Sequence, residues 1–253
     1  MSWISLSKVE NFRDFGGYPA TSGHKVKKGI IFRSGNLDSA SKEDLNAIRL
    51  LNIQSIIDLR TLKEFKKNPV KIGNEKKIHI PLSITEQTRE RLKPHMTKKN
   101  SDDHIITAID SVYRDMVELL KPKVGEIFKV LISKDAYPLL IHCHIGKDRT
   151  GFIIALIQMA LQVEKKFIIQ NYISTNDYLL PGTRRMLRRM RIATLGLVST
   201  WNFELASLAQ ERFINTVMNI IDNNYHGINN YLAECGISEN EITAIKNNIY
   251  ENS

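Results

Sequence analysis

The sequence predicts an α/β fold whose second half is almost entirely helical. Three observations carry this. Through about the first 160 residues, short β-rich runs alternate with segments of helical period. After Cys143 the pattern turns helical nearly to the end. Between the two regimes lies AYPLLIHC (136–143), apolar on both faces, as expected of a strand buried inside a covered sheet.

The elements follow in order. GIIFRS (29–34) reads as a strand, and SKEDLNAIRLLN (41–52) as an amphipathic helix capped by Ser41. QSIIDL (54–59) is a second strand. Thr61 with Glu64 resembles a capping box for a short helix that ends before Pro69. KKIHIPL (76–82) is a third strand, and the polar stretch 83–104 reads as a long loop. Two helices are expected at 105–120 and 123–132, broken at Pro122. The buried strand 136–143 leads into TGFIIALIQMALQV (150–163), which is apolar around most of its circumference and so predicts a core helix. Further helices are expected at 165–180, 184–195, 203–223, 226–235 and 239–250, the last with Ser238 and Glu241 as a capping box. The sum is a central mixed sheet of four or five strands flanked by helices. It makes one domain over 1–253, with lid or accessory helices around 181–210.

Bulk properties narrow the function. The 253 residues suffice for a substantial core, and 42% hydrophobic with 25% charged residues is a globular composition. No run is apolar over the roughly 18 residues of a membrane span, and MSWISLSKVENFRDFGG lacks the basic start and apolar core of a cleavable signal. Two cysteines, Cys143 and Cys235, make no disulfide framework or zinc spacing and suit a reducing, cytoplasmic setting. The net charge of +9 favours anionic partners. No nucleic-acid-binding signature accompanies it, and nucleic acid is not expected.

The chemistry concentrates in HCHIGKDRTG (142–151), a loop between a buried strand and a buried helix. Such a loop aims several backbone N–H groups, and the positive end of a helix dipole, at one point. Cys143 stands at its start, where those groups and Arg149 favour the reactive thiolate. Arg149, six positions on, can grip two phosphate oxygens with its planar fork. His144, Ile145, Gly146 and Lys147 supply the loop that wraps the phosphate, and Gly146 permits backbone a bulkier residue would resist. Thr150 brings a hydroxyl near the sulfur, and His142 can orient the loop. Together these parts describe phosphoryl transfer through a phosphocysteine. The competing readings are weaker. Three consecutive potential ligands, His142, Cys143 and His144, spread apart on an extended strand, so no metal or other cofactor is expected. GKDRTG lacks the glycine spacing of a nucleotide-binding loop. The plain alternative is a buried cysteine beside a turn.

HCHIGKDRTG resembles the signature of the cysteine-dependent tyrosine phosphatases, and most nearly the atypical branch called tyrosine phosphatase family 3. The resemblance extends to NFRDFGGY (11–18), GIIFRSGNL (29–37), IIDLRTLKEF (56–65), NYISTNDYL (171–179) and HGINNYLAECGISENEITAI (226–245). It implies a tyrosine-phosphatase-like sheet, Cys143 as nucleophile and Arg149 as phosphate clamp. Neither Trp3 nor Trp201 is followed by the Pro-Asp of the mobile acid loop of classical members. The loop aspartate, Asp148, is then the candidate general acid, with Asp58 as the runner-up. Arg13, Asp14 and Arg60 are implied as support around the loop. Lys147 fits either an extra phosphate on an inositol ring or a general positive potential. The implied substrates are phosphotyrosine first, with phosphoserine, phosphothreonine and phosphoinositides in range. A phosphoinositide-specific enzyme and a phosphate-binding pseudo-phosphatase are the alternatives. Some relatives are exported without a cleavable signal, so export stands beside the cytoplasm.

In TRRMLRRMR (183–191), Arg184 and Arg188 share one helical face, with Arg185 and Arg189 beside it. An anionic membrane surface, a lid over the site, and a solvated face are the readings. Cys235, before Gly236, reads as a small buried hydrophobe.

Overall fold

The computed structural model describes residues 6–69, 73, 75–83, 90–91, 93–94, 102–179, 188–189, 192–193 and 200–251. Five strands form one sheet: β1 (Arg13–Asp14), β2 (Ile31–Ser34), β3 (Ser55–Asp58), β4 (Lys76–His79) and β5 (Leu139–His142). Their spatial order is β1-β2-β5-β3-β4. β1 runs antiparallel to β2, and every other pairing is parallel. The sheet is therefore mixed, as expected. In register, Ser34 and Asp58 flank His142, so three strands end side by side where the 142–151 loop begins.

The period-2 alternation of the strands sorts their side chains onto two cores. Ile31, Ile57, Leu139 and Ile141 face the larger, helical one. Phe32, Ile56 and Leu140 face a smaller cluster with Leu37 and Ile48. The short helix α1 (Lys42–Arg49), with its Ser41 box closed on Asp44, covers that second face. The helix α2 (Leu62–Lys67) carries the expected Thr61–Glu64 box.

The helical side holds α3 (Asp102–Leu119), α4 (Lys121–Ile132), α5 (Asp148–Ala160), α6 (Lys165–Ile173), α7 (Thr200–Ser207), α8 (Glu211–Tyr225), α9 (Ile228–Glu234) and α10 (Glu239–Ile249). α5 is buried along nearly its whole length, which explains its apolar circumference. α10 starts with the expected Ser238–Glu241 box. Among the described residues, no helix is long and apolar enough to cross a membrane.

Four boundaries differ from expectation. The break between α3 and α4 falls at Leu120, because Pro122 is tolerated in the first turn of α4, where its missing N–H costs nothing. The expected helix 203–223 is two helices. Between them the Asn176 side chain takes over both polar groups of Ala209, accepting from its N–H at 2.8 Å and donating to its carbonyl at 2.9 Å. α6 ends at Ile173, with a turn at Ser174 before helix resumes over 175–179. In the polar stretch 83–104, residues 90–91 and 93–94 are helical and α3 already begins at Asp102. Of the helix expected over 184–195, only 188–189 and 192–193 are described, and they are helical.

Candidate active site

The loop leaves β5 at Cys143 and enters α5 at Asp148. Its carbonyls are held outward by neighbours. The His144 carbonyl accepts from the Asn36 N–H at 2.9 Å. Asn11 Nδ2 donates to the carbonyls of Ile145 at 3.3 Å and Gly146 at 2.8 Å. Arg33 adds a second donor to the Gly146 carbonyl at 2.6 Å. In a trans peptide the next N–H points opposite to the carbonyl, so the N–H groups of Ile145, Gly146 and Lys147 turn inward. The Gly146 N–H lies 3.2 Å from the Cys143 sulfur. Unlike α1, α2 and α10, the N-terminus of α5 has no side-chain cap, which leaves its first N–H groups open to an anion.

Gly146 is a geometric necessity. It sits at φ 75°, and a Cβ there would lie 2.5 Å from the Ser34 carbonyl oxygen. Cys143 itself is buried at 2% exposure, at the floor of the loop.

Arg149 comes from the first turn of α5 and is buried. It forms a two-pronged bond with Glu64 of α2, at 2.7 and 3.1 Å, and reaches the Leu59 carbonyl at 3.3 Å. Burial by itself would raise the Glu64 carboxyl, but the Arg149 bonds outweigh it and hold the acid down at about 2. Burial would likewise lower Arg149; the neighbouring Cys143 and Glu64 overcome that and raise it. Glu64 also accepts from the Thr61 N–H at 2.8 Å, so one carboxylate caps α2 and orients the arginine.

Asp148 is partly exposed at the mouth of the loop. Its Oδ1 accepts from the Tyr113 hydroxyl at 2.7 Å and lies 3.3 Å from Lys147 Nζ. Lys147 is buried, and its ammonium turns to the end of α7, donating to the carbonyls of Ala206 at 2.8 Å and Leu208 at 3.4 Å. Thr150 Oγ1 is buried with no hydrogen-bond partner among the described residues. His144 and Ile145 are exposed at the rim.

The other expected residues form supports of different reach. Asp58 is buried and locked to Arg60, whose Nη2 donates to it at 2.6 Å. Burial would raise Asp58, and the Arg60 bonds overcome this and lower it. Arg60 also donates to the Asn36 side chain at 2.9 Å, and so braces the residue that holds the His144 carbonyl. His142 Nε2 lies 3.5 Å from Asp58, and burial pushes the imidazole down to about 4, so it is neutral near pH 7. Arg13 is buried. It bonds Asn11 and reaches the Asn171 carbonyl at 2.9 Å and Thr175 at 3.1 Å. Asp14 ties two turns instead, accepting from the N–H groups of Gly16 and Gly29 at 2.7 Å each. Among the described residues it makes no bond to the 142–151 loop.

A thiol at the floor of an anion-shaped loop, with a guanidinium fixed beside it, defines a phosphate-ester hydrolase with a cysteine nucleophile. The comparisons give the family. The sequence matches the profile of the Tyrosine phosphatase family over residues 4–251, and the chain belongs to that family. A relative from Cupriavidus necator that carries a tyrosine-protein phosphatase name is 26% identical over 91% of this chain and 83% of its own length. A triple specificity protein phosphatase of Mycobacterium tuberculosis is 23% identical over 97% and 98%. An inositol diphosphatase of Arabidopsis thaliana is 28% identical over 51% and 52%. The protein is a cysteine-dependent phosphatase.

Sequence reasoning missed Glu64, Arg33, Asn11 and Tyr113. Glu64 was visible only as a helix cap. Asn11 stands in the φ-positive conformation, at 59°, that asparagine tolerates, a signal present in Asn-Phe but weak. Arg33 lies in the middle of a buried strand, where a charge must have a built partner; that was the strongest unread signal.

Proposed function

We propose that the protein hydrolyses phosphotyrosine through a phosphocysteine on Cys143. The Cys143 thiolate attacks phosphorus, the S–P bond forms, and the P–O bond to the leaving group breaks. Asp148 gives its proton to the leaving oxygen. Water then attacks the phosphocysteine and passes a proton to Asp148. The S–P bond breaks, and inorganic phosphate and thiolate are released. Arg149 and the inward N–H groups follow the charge on the phosphoryl oxygens. The observation that carries this reading is the loop with three carbonyls bonded outward around a buried Cys143. Asp58 is unsuited as acid, since its carboxylate is buried against Arg60.

Phosphoserine, phosphothreonine and phosphoinositides are further substrates, in keeping with the triple specificity and inositol diphosphatase names of two relatives. The position of Lys147 favours a single phosphate: its ammonium is already engaged by two carbonyls of the α7 end. A phosphoinositide-specific enzyme is the second reading, and would need that lysine released. Arg188 and Arg189 are exposed and could meet an anionic membrane together with Arg184 and Arg185, which lie outside the described residues. Free thiols at Cys143 and Cys235 fit a reducing, cytoplasmic setting for one domain spanning the chain.

The test is phosphate release from a phosphotyrosine peptide, a phosphoserine peptide and several phosphoinositides, in chelator, with Cys143→Ser alongside. Tyrosine-preferring release that the variant abolishes is expected. Release confined to inositides would overturn the substrate assignment, and release by Cys143→Ser would overturn the nucleophile.

A further inference from the structure

We propose that Tyr113 and Tyr172 form a directed hydrogen-bond chain that positions Asp148 for proton transfer. The proposal rests on the reading of Asp148 as the general acid, and it concerns what makes that residue fit for the task.

The two tyrosines come from different helices, α3 and α6, and both are buried at 1% exposure. Their hydroxyls are 2.6 Å apart, and the Tyr113 hydroxyl is 2.7 Å from Asp148 Oδ1. Direction follows from counting protons. Oδ1 accepts whether the carboxyl is ionised or carries its proton on Oδ2, and each phenol has one proton. Tyr113 must spend its proton on Asp148, so Tyr172 must donate to Tyr113. The chain therefore runs Tyr172 to Tyr113 to Asp148, and each bond polarises the next. Burial raises both phenols well above their usual value, so both keep their protons and stay donors.

The consequence is a division of labour between the two oxygens of Asp148. Among the described residues, every hydrogen bond and ion pair falls on Oδ1, from Tyr113 and Lys147. Oδ2 is left for the proton that goes to the leaving group. A lone aspartate on the first turn of a helix can take several rotamers. Here Tyr113 and Lys147 fix one oxygen, which limits that choice and leaves the other clear of both.

The packing shows that the chain is held firmly. The Tyr113 ring stacks on Phe213 with centroids 5.3 Å apart and meets Tyr172 edge-on at 6.2 Å. A Cβ at position 151 would come within 3.0 Å of the Tyr172 ring, so Gly151 on α5 is what lets this ring lie against the helix that bears Asp148. Tyr113 and Tyr172 are positioning residues. They touch no reacting atom.

The test is a leaving-group series of aryl phosphates, from strongly activated nitrophenols to unsubstituted phenol, run on wild type, Asp148→Asn, Tyr113→Phe and Tyr172→Phe. The phenylalanine variants keep the rings and their packing, and thermal unfolding checks that each variant is folded. In Asp148→Asn the rate should fall more steeply as the leaving group worsens, because nothing protonates it. Tyr113→Phe should steepen the series in the same sense, with the ratio of good to poor leaving group rising about tenfold, the worth of one hydrogen bond to a charged group. Tyr172→Phe should give a smaller change in the same direction. A merely structural role would lower all rates together and leave the slope alone. A steep series in Asp148→Asn with a wild-type slope in Tyr113→Phe overturns the chain while leaving the acid in place. A wild-type slope in Asp148→Asn removes the acid assignment, and the chain with it.

Discussion

Glu64→Gln is the most informative single change at the site. The side chain does two jobs, and glutamine keeps one of them. As a capping-box residue, Gln can still accept from the Thr61 N–H and hold the start of α2. What it loses is the charge facing Arg149 and one of two parallel bonds, at 2.7 and 3.1 Å. Bonds to charged groups are worth roughly 1.5–3 kcal/mol, and the side chain of Glu64 is 21% exposed, so solvent trims the lower end to about 1 kcal/mol of stability. Catalysis should suffer more than stability. Arg149 would keep one bond to the amide oxygen and the 3.3 Å bond to the Leu59 carbonyl, and the loss of the two-pronged clamp should cost about 10- to 100-fold in kcat/KM. The pair does not titrate in the working range. With Glu64 held at about 2, its contribution is complete above the ordinary carboxyl range near 4.5 and is lost only as pH falls through about 2. The assay is kcat/KM on a phosphotyrosine peptide at pH 7, with urea unfolding in parallel and Glu64→Ala as the variant that also loses the cap. A Glu64→Gln enzyme within twofold of wild type would refute the idea that the carboxylate aims the arginine.

Three further outcomes follow from the same geometry. Gly146→Ala puts a methyl 2.5 Å from the Ser34 oxygen in a φ-positive position, and should cost about 100-fold in kcat through displacement of the loop; near-normal turnover would contradict the close approach. His142 is held neutral at about 4 against an unfolded value of 6.5, so stability is complete above pH 6.5, falls by about 3 kcal/mol as pH drops to 4, and then levels; urea midpoints of wild type and His142→Asn across that window should converge toward a smaller pH slope in the variant. Arg33→Met removes the donors to the Gly146 carbonyl and to Asn171 Oδ1, and should weaken inhibition by inorganic phosphate; an unchanged inhibition constant would mean that Arg33 does not shape the loop.

Much of the fold was legible because local signals agreed with the tertiary structure. The cap read at Ser41 and the capping boxes read at Thr61–Glu64 and Ser238–Glu241 are all formed, and Ser41 proves to be part of a box with Asp44. The four longer strands fall inside their expected runs; β2, β3 and β5 are buried along their whole length between two apolar layers, and β4 is the half-exposed edge. What was illegible depends on partners distant in sequence. The break at 208–210 is made by Asn176, which no periodicity over 203–223 can report. The two-residue β1 has no pattern to detect; it exists because Arg13 and Asp14 pair with Arg33 and Phe32. The same limit applied at the site. Cys143 and Arg149 sit in one motif and could be read together. Glu64, Arg33 and Tyr113 reach the loop across 85, 113 and 35 positions, and only the fold brings them there.

The placement of charge explains why so many buried arginines are tolerated around one loop. Four guanidiniums, of Arg13, Arg33, Arg60 and Arg149, are nearly or fully buried. Two are neutralised locally, Arg60 by Asp58 and Arg149 by Glu64. The other two have no carboxylate within ion-pairing distance among the described residues. Arg33 is bonded to the Gly146 carbonyl and an asparagine oxygen, and Arg13 to carbonyl, hydroxyl and amide oxygens. Burial accordingly lowers both, Arg13 to about 10, which leaves Arg13 charged near pH 7. An uncompensated buried cation is destabilising in the empty protein. Set behind outward-facing carbonyls, it polarises the peptide groups whose N–H ends face the sulfur, and its positive potential is answered when a thiolate or a phosphoryl dianion occupies the loop. The cost therefore falls on the resting state, and the return comes on binding, which is where a phosphatase needs it.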